Sequence, residues 1–254
     1  MTGATRAAPL IPRAMLVPLV LAQFIASYAA TNMNVAVNTI AKDLGTTVTG
    51  VQTAITLFTL TMAALMIPGS KLTDILGRRR CFVLGLAVYG VGGLIATLAP
   101  NIGVMILGYS FGEGVGSALM IPPIYILITV AAGDLRARAR GFGAVSAAAG
   151  LGAAAGPLIG GLITTGISWR ASFALQVLVV VLIIVLSRRI VDPGVQGAAP
   201  RFDVLGAVLS AAGLFFIVLG ILPLVYIAVR MVRCRHRPGA LRAGEPAESL
   251  TIAR

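Results

Sequence analysis

The sequence predicts an all-α, polytopic membrane protein. Of its 254 residues, 58% are hydrophobic and 11% are charged, against about 25% charged in a soluble domain. Apolar runs recur along the chain, most near or above the roughly 20 residues a helix needs to cross hydrocarbon. They are continuously apolar and do not alternate, so the spanning form is the helix and not the barrel strand.

The elements follow in order. A polar N-terminal segment, residues 1–13, carries Arg6 and Arg13. Six spans are expected within residues 14–190. They cover about Ala14 to Val37, Val51 to Pro68, Cys81 to Ala99, Ile102 to Ala131, Gly141 to Gly166 and Ala171 to Leu186. A linker, 191–203, leads to a seventh span within 204–230, about Val204 to Ile227, and a basic tail fills 231–254. Between the second and third spans lies Gly69-Ser-Lys-Leu-Thr-Asp74-Ile-Leu-Gly77-Arg78-Arg79-Arg80. Unpaired charges are expensive in hydrocarbon, so this stretch is expected to be a short polar turn at a membrane surface.

Lysine and arginine set the expected orientation. With the N-terminus in the cytoplasm, the inner side receives Arg6, Arg13, Lys71, Arg78, Arg79, Arg80, Arg136, Arg138, Arg140, Arg188, Arg189 and Arg201. The outer side receives Lys42 and Arg170. This bias is the positive-inside pattern. The tail arginines Arg230, Arg233, Arg235, Arg237, Arg242 and Arg254 would fall outside after a seventh crossing, which breaks the pattern.

Composition excludes several function classes. The net charge of +12 is divided among short clusters, leaving no continuous basic face for nucleic acid. Cys81 and Cys234 make neither a metal spacing nor a disulfide framework. The first apolar run outlasts a signal peptide's core and lacks a small-residue cleavage site. His236 is the lone histidine and lies in the tail. A phosphate-cradling Gly-x-x-x-x-Gly-Lys-Ser/Thr loop is missing. Neither an enzyme nor an ATP-driven pump is expected, and no cofactor or metal.

Motifs sharpen the reading. The Gly69-to-Arg80 stretch is similar to the loop signature between the second and third helices of the major facilitator superfamily, with Gly69, Asp74, Gly77, Arg78 and Arg79 at its marked positions. Gly150-Leu-Gly152-Ala-Ala-Ala-Gly156-Pro157-Leu-Ile-Gly160-Gly161 resembles the antiporter signature of the family's drug–proton exporters. Glycines four apart present a flat helix face for close packing, and Pro157 frees a backbone carbonyl and permits a bend. Ser168-Trp169-Arg170-Ala-Ser-Phe173 resembles the family's Trp-Arg-x-x-Phe turn, and Asn34-Val-Ala-Val-Asn38 an Asn-Val-Ala-Leu-Pro segment of the fourteen-helix branch. Two departures stand out. Ala29 occupies the place of an acidic residue, and Ser110-Phe-Gly-Glu113-Gly114-Val-Gly116 replaces the Arg and Gln of an Arg-x-x-Gln-Gly-x-Gly pattern. Arg201-Phe-Asp203 is similar to the approach to the first extra helix of that branch.

The resemblance implies an N-terminal six-helix transporter half, built as two three-helix inverted repeats, plus a seventh helix. It implies efflux of amphipathic drugs or small metabolites, driven by a proton gradient. Glu113, an isolated intramembrane acid, is the proton-coupling candidate. Asn32, Asn34, Gly152, Gly156 and Pro157 are the candidates for the substrate cavity. The expected partners are the lipid bilayer, a small-molecule substrate, and a second transporter half or another copy of the chain. The expected location is the plasma membrane, multi-pass, with the N-terminus cytoplasmic. The competing expectation is a truncated half that cannot transport alone and acts, if at all, by assembly with another half.

Overall fold

The computed structural model describes residues 11–190, 206, 208–217 and 220. Six helices there are long and apolar enough to cross a membrane. They are α1 (Arg13–Asp43), α2 (Val48–Leu76), α3 (Arg78–Thr97), α4 (Ile102–Ala131), α5 (Leu135–Gly166) and α6 (Trp169–Ser187). A shorter apolar helix, α7, covers Val208–Ile217. The chain divides into two compact units, Met1–Phe215 and Phe216–Arg254. The expected linker 191–203 and basic tail 231–254 lie outside the described residues.

Helix starts follow from local chemistry. Thr47, Asn101, Asp134 and Ser168 each sit in extended backbone and accept a hydrogen bond from the amide three residues on. Each thereby satisfies one of the amides that a helix start leaves free. Prolines Pro18, Pro68, Pro122, Pro123 and Pro157 lie inside helices that continue through them. Neighbouring helices tolerate such residues in membrane spans.

Several expected boundaries move outward, and one expectation is corrected. The stretch from Gly69 is not a polar turn: α2 stays helical to Leu76, and α3 begins at Arg78. The reversal is concentrated at Gly77, whose φ of 89° suits a residue without Cβ. Helices can extend beyond hydrocarbon into the interface, and charged side chains there reach water while the backbone stays hydrogen-bonded.

The packing is that of two inverted repeats. Besides α3 with α4, the most extensive contact, the main helix pairs are α1 with α5, α2 with α4, and α3 with α6. Exchanging α1–α3 for α4–α6 turns the first pair into the second and leaves the third unchanged. One buried cluster joins Met15, Leu19 and Tyr28 of α1 to Leu86, Ile124, Val145 and Val180. Another joins Met33, Ala36, Val37 and Ile40 to Val51, Ala54, Phe58, Met105 and Trp169.

Candidate functional site

The interior of the half is organised around Glu113, which is fully buried. It closes a π-helical stretch of α4, Ile106–Glu113. Such wider turns occur mostly at functional places. Here the stretch lies against glycines of α3. A Cβ on Gly92 would come within 2.6 Å of Glu113 N and Gly108 O, and one on Gly116 within 2.5 Å of Tyr89 N. The α3–α4 seam therefore requires bare backbone. This carries the Glu113 carboxyl between α3 and α6, where a Cβ on Gly93 would lie 3.1 Å from both Glu113 Oε1 and Val177 Cγ2.

Tyr89 lies beside this carboxyl, but its hydroxyl donates to Gln176 Oε1 at 2.7 Å. Neither Glu113 oxygen has a partner with hydrogen-bond geometry, and the Tyr109 hydroxyl and Gln176 Nε2 are likewise unpaired. One turn along α6 from Gln176, Ser172 pairs with the Tyr28 hydroxyl at 2.8 Å. Sequence reasoning found Glu113 but missed Tyr28, Tyr89, Ser172 and Gln176. Its available signal was the i, i+4 pair Ser172 and Gln176 in an otherwise apolar span.

The remaining candidates separate. Gly152 and Gly156 are buried in the seam between α5 and α1. A Cβ on Gly152 would strike Phe24 O, and one on Gly156 would strike Thr31 Oγ1. Asn32 is buried in the same seam against Gly160. Pro157 and Asn34 are exposed, and Asn34 Nδ2 donates to Ala30 O at 3.4 Å. Glu113 lies on the α3–α6 side of α4 and apart from this α1–α5 seam.

The loop signature holds α2, α3, α4 and α6 together. Gly69 lies against Ala118 O of α4. The Thr73 hydroxyl is 2.9 Å from Gly69 O and 3.3 Å from Cys81 Sγ, and that thiol is 3.5 Å from Leu119 O. Arg79 Nη2 donates to Arg188 O, just past the end of α6, at 3.2 Å. Asp74 is half-buried and makes no ion pair among the described residues. At the opposite end, the Asp43 carboxylate accepts from Trp169 Nε1 at 3.0 Å and pairs with Arg170, which also donates to Ala99 O at 3.0 Å. Arg170 lies 4.4 Å over the Trp169 ring. Among the described residues, no His, Cys, Asp and Glu cluster could hold a metal ion.

Comparison with known proteins agrees with this architecture. The model of the Major Facilitator Superfamily matches residues 19–233. The puromycin resistance protein pur8 of Streptomyces alboniger is 32% identical over 203 residues, covering 80% of this chain and 40% of that protein. The cephamycin export protein CmcT of Amycolatopsis lactamdurans is 31% identical over 208 residues, covering 79% and 41%. The chain thus spans about 40% of the length of these relatives. Among solved structures, a peptide transporter POT in complex with sulfate aligns with a TM-score of 0.64 at 19% identity, over 84% of this chain and 46% of that one. That likeness concerns the fold alone. With its six membrane-length helices, two-repeat packing and loop signature, the chain belongs to the Major Facilitator Superfamily.

Proposed function

We propose that the chain is one half of a proton-coupled exporter of amphipathic small molecules in the plasma membrane, with its N-terminus and arginine-rich junctions in the cytoplasm. The names of the relatives, puromycin resistance and cephamycin export, support the export direction. The observation that carries proton coupling is the fully buried Glu113 carboxyl, which lies beside Tyr89 and has no ion-pair partner among the described residues. A carboxylate buried that way is costly, whereas its protonated form is tolerated. Gain or loss of one proton therefore biases the packing of α3, α4 and α6 against one another. Packed interfaces respond to such a bias by switching between discrete arrangements.

A second six-helix half completes the substrate cavity, because transporters of this architecture bind at the interface of their two halves. The chain's share of its relatives' length favours that reading. Alone, it is expected to give no net transport.

The test is efflux of a fluorescent cationic dye from proteoliposomes under an imposed pH gradient. The chain is assayed alone and after co-reconstitution with the C-terminal half of a full-length relative. Gradient-driven efflux is expected only from the reconstituted pair, and Glu113→Gln should abolish its gradient dependence while dye binding persists. Undiminished gradient-driven efflux in that variant would overturn the role of Glu113. Robust efflux by the chain alone would overturn the need for a second half.

A further inference from the structure

Tyr89 has one hydroxyl proton and two neighbours that can accept it. It belongs to α3, is fully buried, and donates to Gln176 Oε1 of α6 at 2.7 Å. The Glu113 carboxyl of α4 lies beside it. Bare backbone fixes this neighbourhood. A Cβ on Gly116 would meet Tyr89 N at 2.5 Å, and one on Gly93, a turn along α3 from Tyr89, would meet Glu113 Oε1 at 3.1 Å.

The two charge states of Glu113 need opposite partners. A neutral carboxyl has a proton to give, whereas a carboxylate only accepts. Tyr89 and Gln176 together can serve both. A phenol hydroxyl donates once and also accepts, and a carboxamide has an acceptor at one end and donors at the other. Gln176 Nε2 is buried and unpaired, so the carboxamide can turn over without giving up a bond elsewhere. The other titratable side chain near Glu113 is Tyr109 of its own helix, stacked on Phe58 of α2 and edge-on to Phe173 of α6. Tyr28 of α1 approaches from the Tyr89 side. The charged residues of α1, α2, α3, α5 and α6 lie towards their helix ends, so no cation takes the place of these hydrogen bonds.

We infer that Tyr89 is the positioning residue for the proton on Glu113, and that the chain Glu113–Tyr89–Gln176 reverses its hydrogen-bond direction when Glu113 ionises. The inference rests on the proton-coupling reading and deepens it. With the acid neutral, its O–H donates to Tyr89 Oη, which donates to Gln176 Oε1 as observed. With the acid ionised, Tyr89 donates to the carboxylate, and the inverted carboxamide donates Nε2–H to Tyr89 Oη. Tyr89 keeps its proton in both states, so the proton exchanged is that of Glu113 alone. Either direction keeps α3 bonded to α6. A carboxyl buried without a cation is thereby tolerated both with and without its proton.

Infrared titration of the full chain in lipid nanodiscs is the test, with Glu113→Gln identifying the carboxyl band of Glu113. In the native chain this band should fade as pH rises. The side-chain carbonyl band of isotope-labelled glutamine should shift in step, and that shift should be missing in Gln176→Leu. Tyr89→Phe removes the donor that the charged form needs, and a hydrogen bond to a charge is stronger than one to the neutral acid. The pH of half-loss should therefore rise by about one unit, tenfold in proton affinity. Tyr109→Phe should move it by less than about 0.3 unit. An unchanged midpoint in Tyr89→Phe, an equal shift in Tyr109→Phe, or a glutamine band indifferent to pH overturns the relay and leaves proton coupling through Glu113 standing. The glutamine measurement on the native chain decides the matter even if Tyr89→Phe fails to fold. A Glu113 band that does not titrate anywhere in the stable pH range of the chain overturns the proton-coupling reading with it.

Discussion

Asp43, the last residue of α1, is joined to Arg170 in the first turn of α6 by an ion pair that the Trp169 indole supports with a second hydrogen bond. Arg170 in turn reaches Ala99 O beyond the end of α3. One carboxylate therefore ties together three helix ends at one face of the bundle. At the other face Arg79 holds the carbonyl end of α6. The helix that carries Gln176 to the Tyr89 hydroxyl is thus held at both of its ends.

The first prediction concerns this clasp. The Arg170 and Asp43 side chains are 35% and 44% exposed, so the ion pair itself contributes about 0.2–1 kcal/mol. Asp43→Ala should lower the thermal stability of the purified chain by about 1 kcal/mol, because the indole bond goes with the ion pair. Asp43→Asn keeps an acceptor for Trp169 and should cost less. Equal losses in the two variants would show that the indole bond contributes nothing.

The α1–α5 seam gives a sharper contrast. A Cβ on Gly152 would meet the backbone at Phe24, whereas one on Gly150, half a turn away, would meet nothing within 4 Å. Gly152→Ala should therefore cost about 1–3 kcal/mol through overpacking. Gly150→Ala should be neutral or stabilise by up to about 1 kcal/mol. Thermal denaturation in detergent compares them directly, and similar behaviour of the two would show that α1 and α5 are not packed as described.

Topology is testable through the arginine-rich junction. Cys81 is fully buried and unsuited to labelling by an impermeant reagent from either side. Arg80 beside it is exposed. In a Cys81→Ser, Cys234→Ser background, Arg80→Cys should react with an impermeant thiol reagent in inside-out vesicles and stay unreactive in intact cells. Reaction in intact cells would reverse the orientation of every helix.

Asp74 supplies the fourth prediction. Because it makes no ion pair among the described residues, Asp74→Asn should change the stability of this chain by less than about 0.5 kcal/mol. The same substitution in a full-length relative should abolish transport, if the loop signature there bridges two halves. A large loss of folded protein from Asp74→Asn in the chain itself would make Asp74 a local structural residue instead.

The sequence by itself determined that this is a helical membrane protein, where its spans lie within several residues, and which family signatures it carries. Those properties are local: an apolar run long enough for hydrocarbon, a glycine able to turn at residue 77, a cluster of arginines between runs. It also singled out Glu113, because a lone acid in an apolar span is conspicuous wherever it points.

What only the tertiary structure decided is direction. Helices that are apolar on all sides have no polar face to show which side is inward. The sequence therefore could not tell that Gly152 and Gly156 are spent on α1, or that Glu113 lies beside Tyr89, whose hydroxyl is bonded to Gln176 of α6. Nor could it pair Asp43 with Arg170 over a separation of 127 residues. Backbone approach at glycines sets those directions: it brings helices close enough for one rotation about each axis to pack, and this depends on the neighbouring helix as much as on the residue itself.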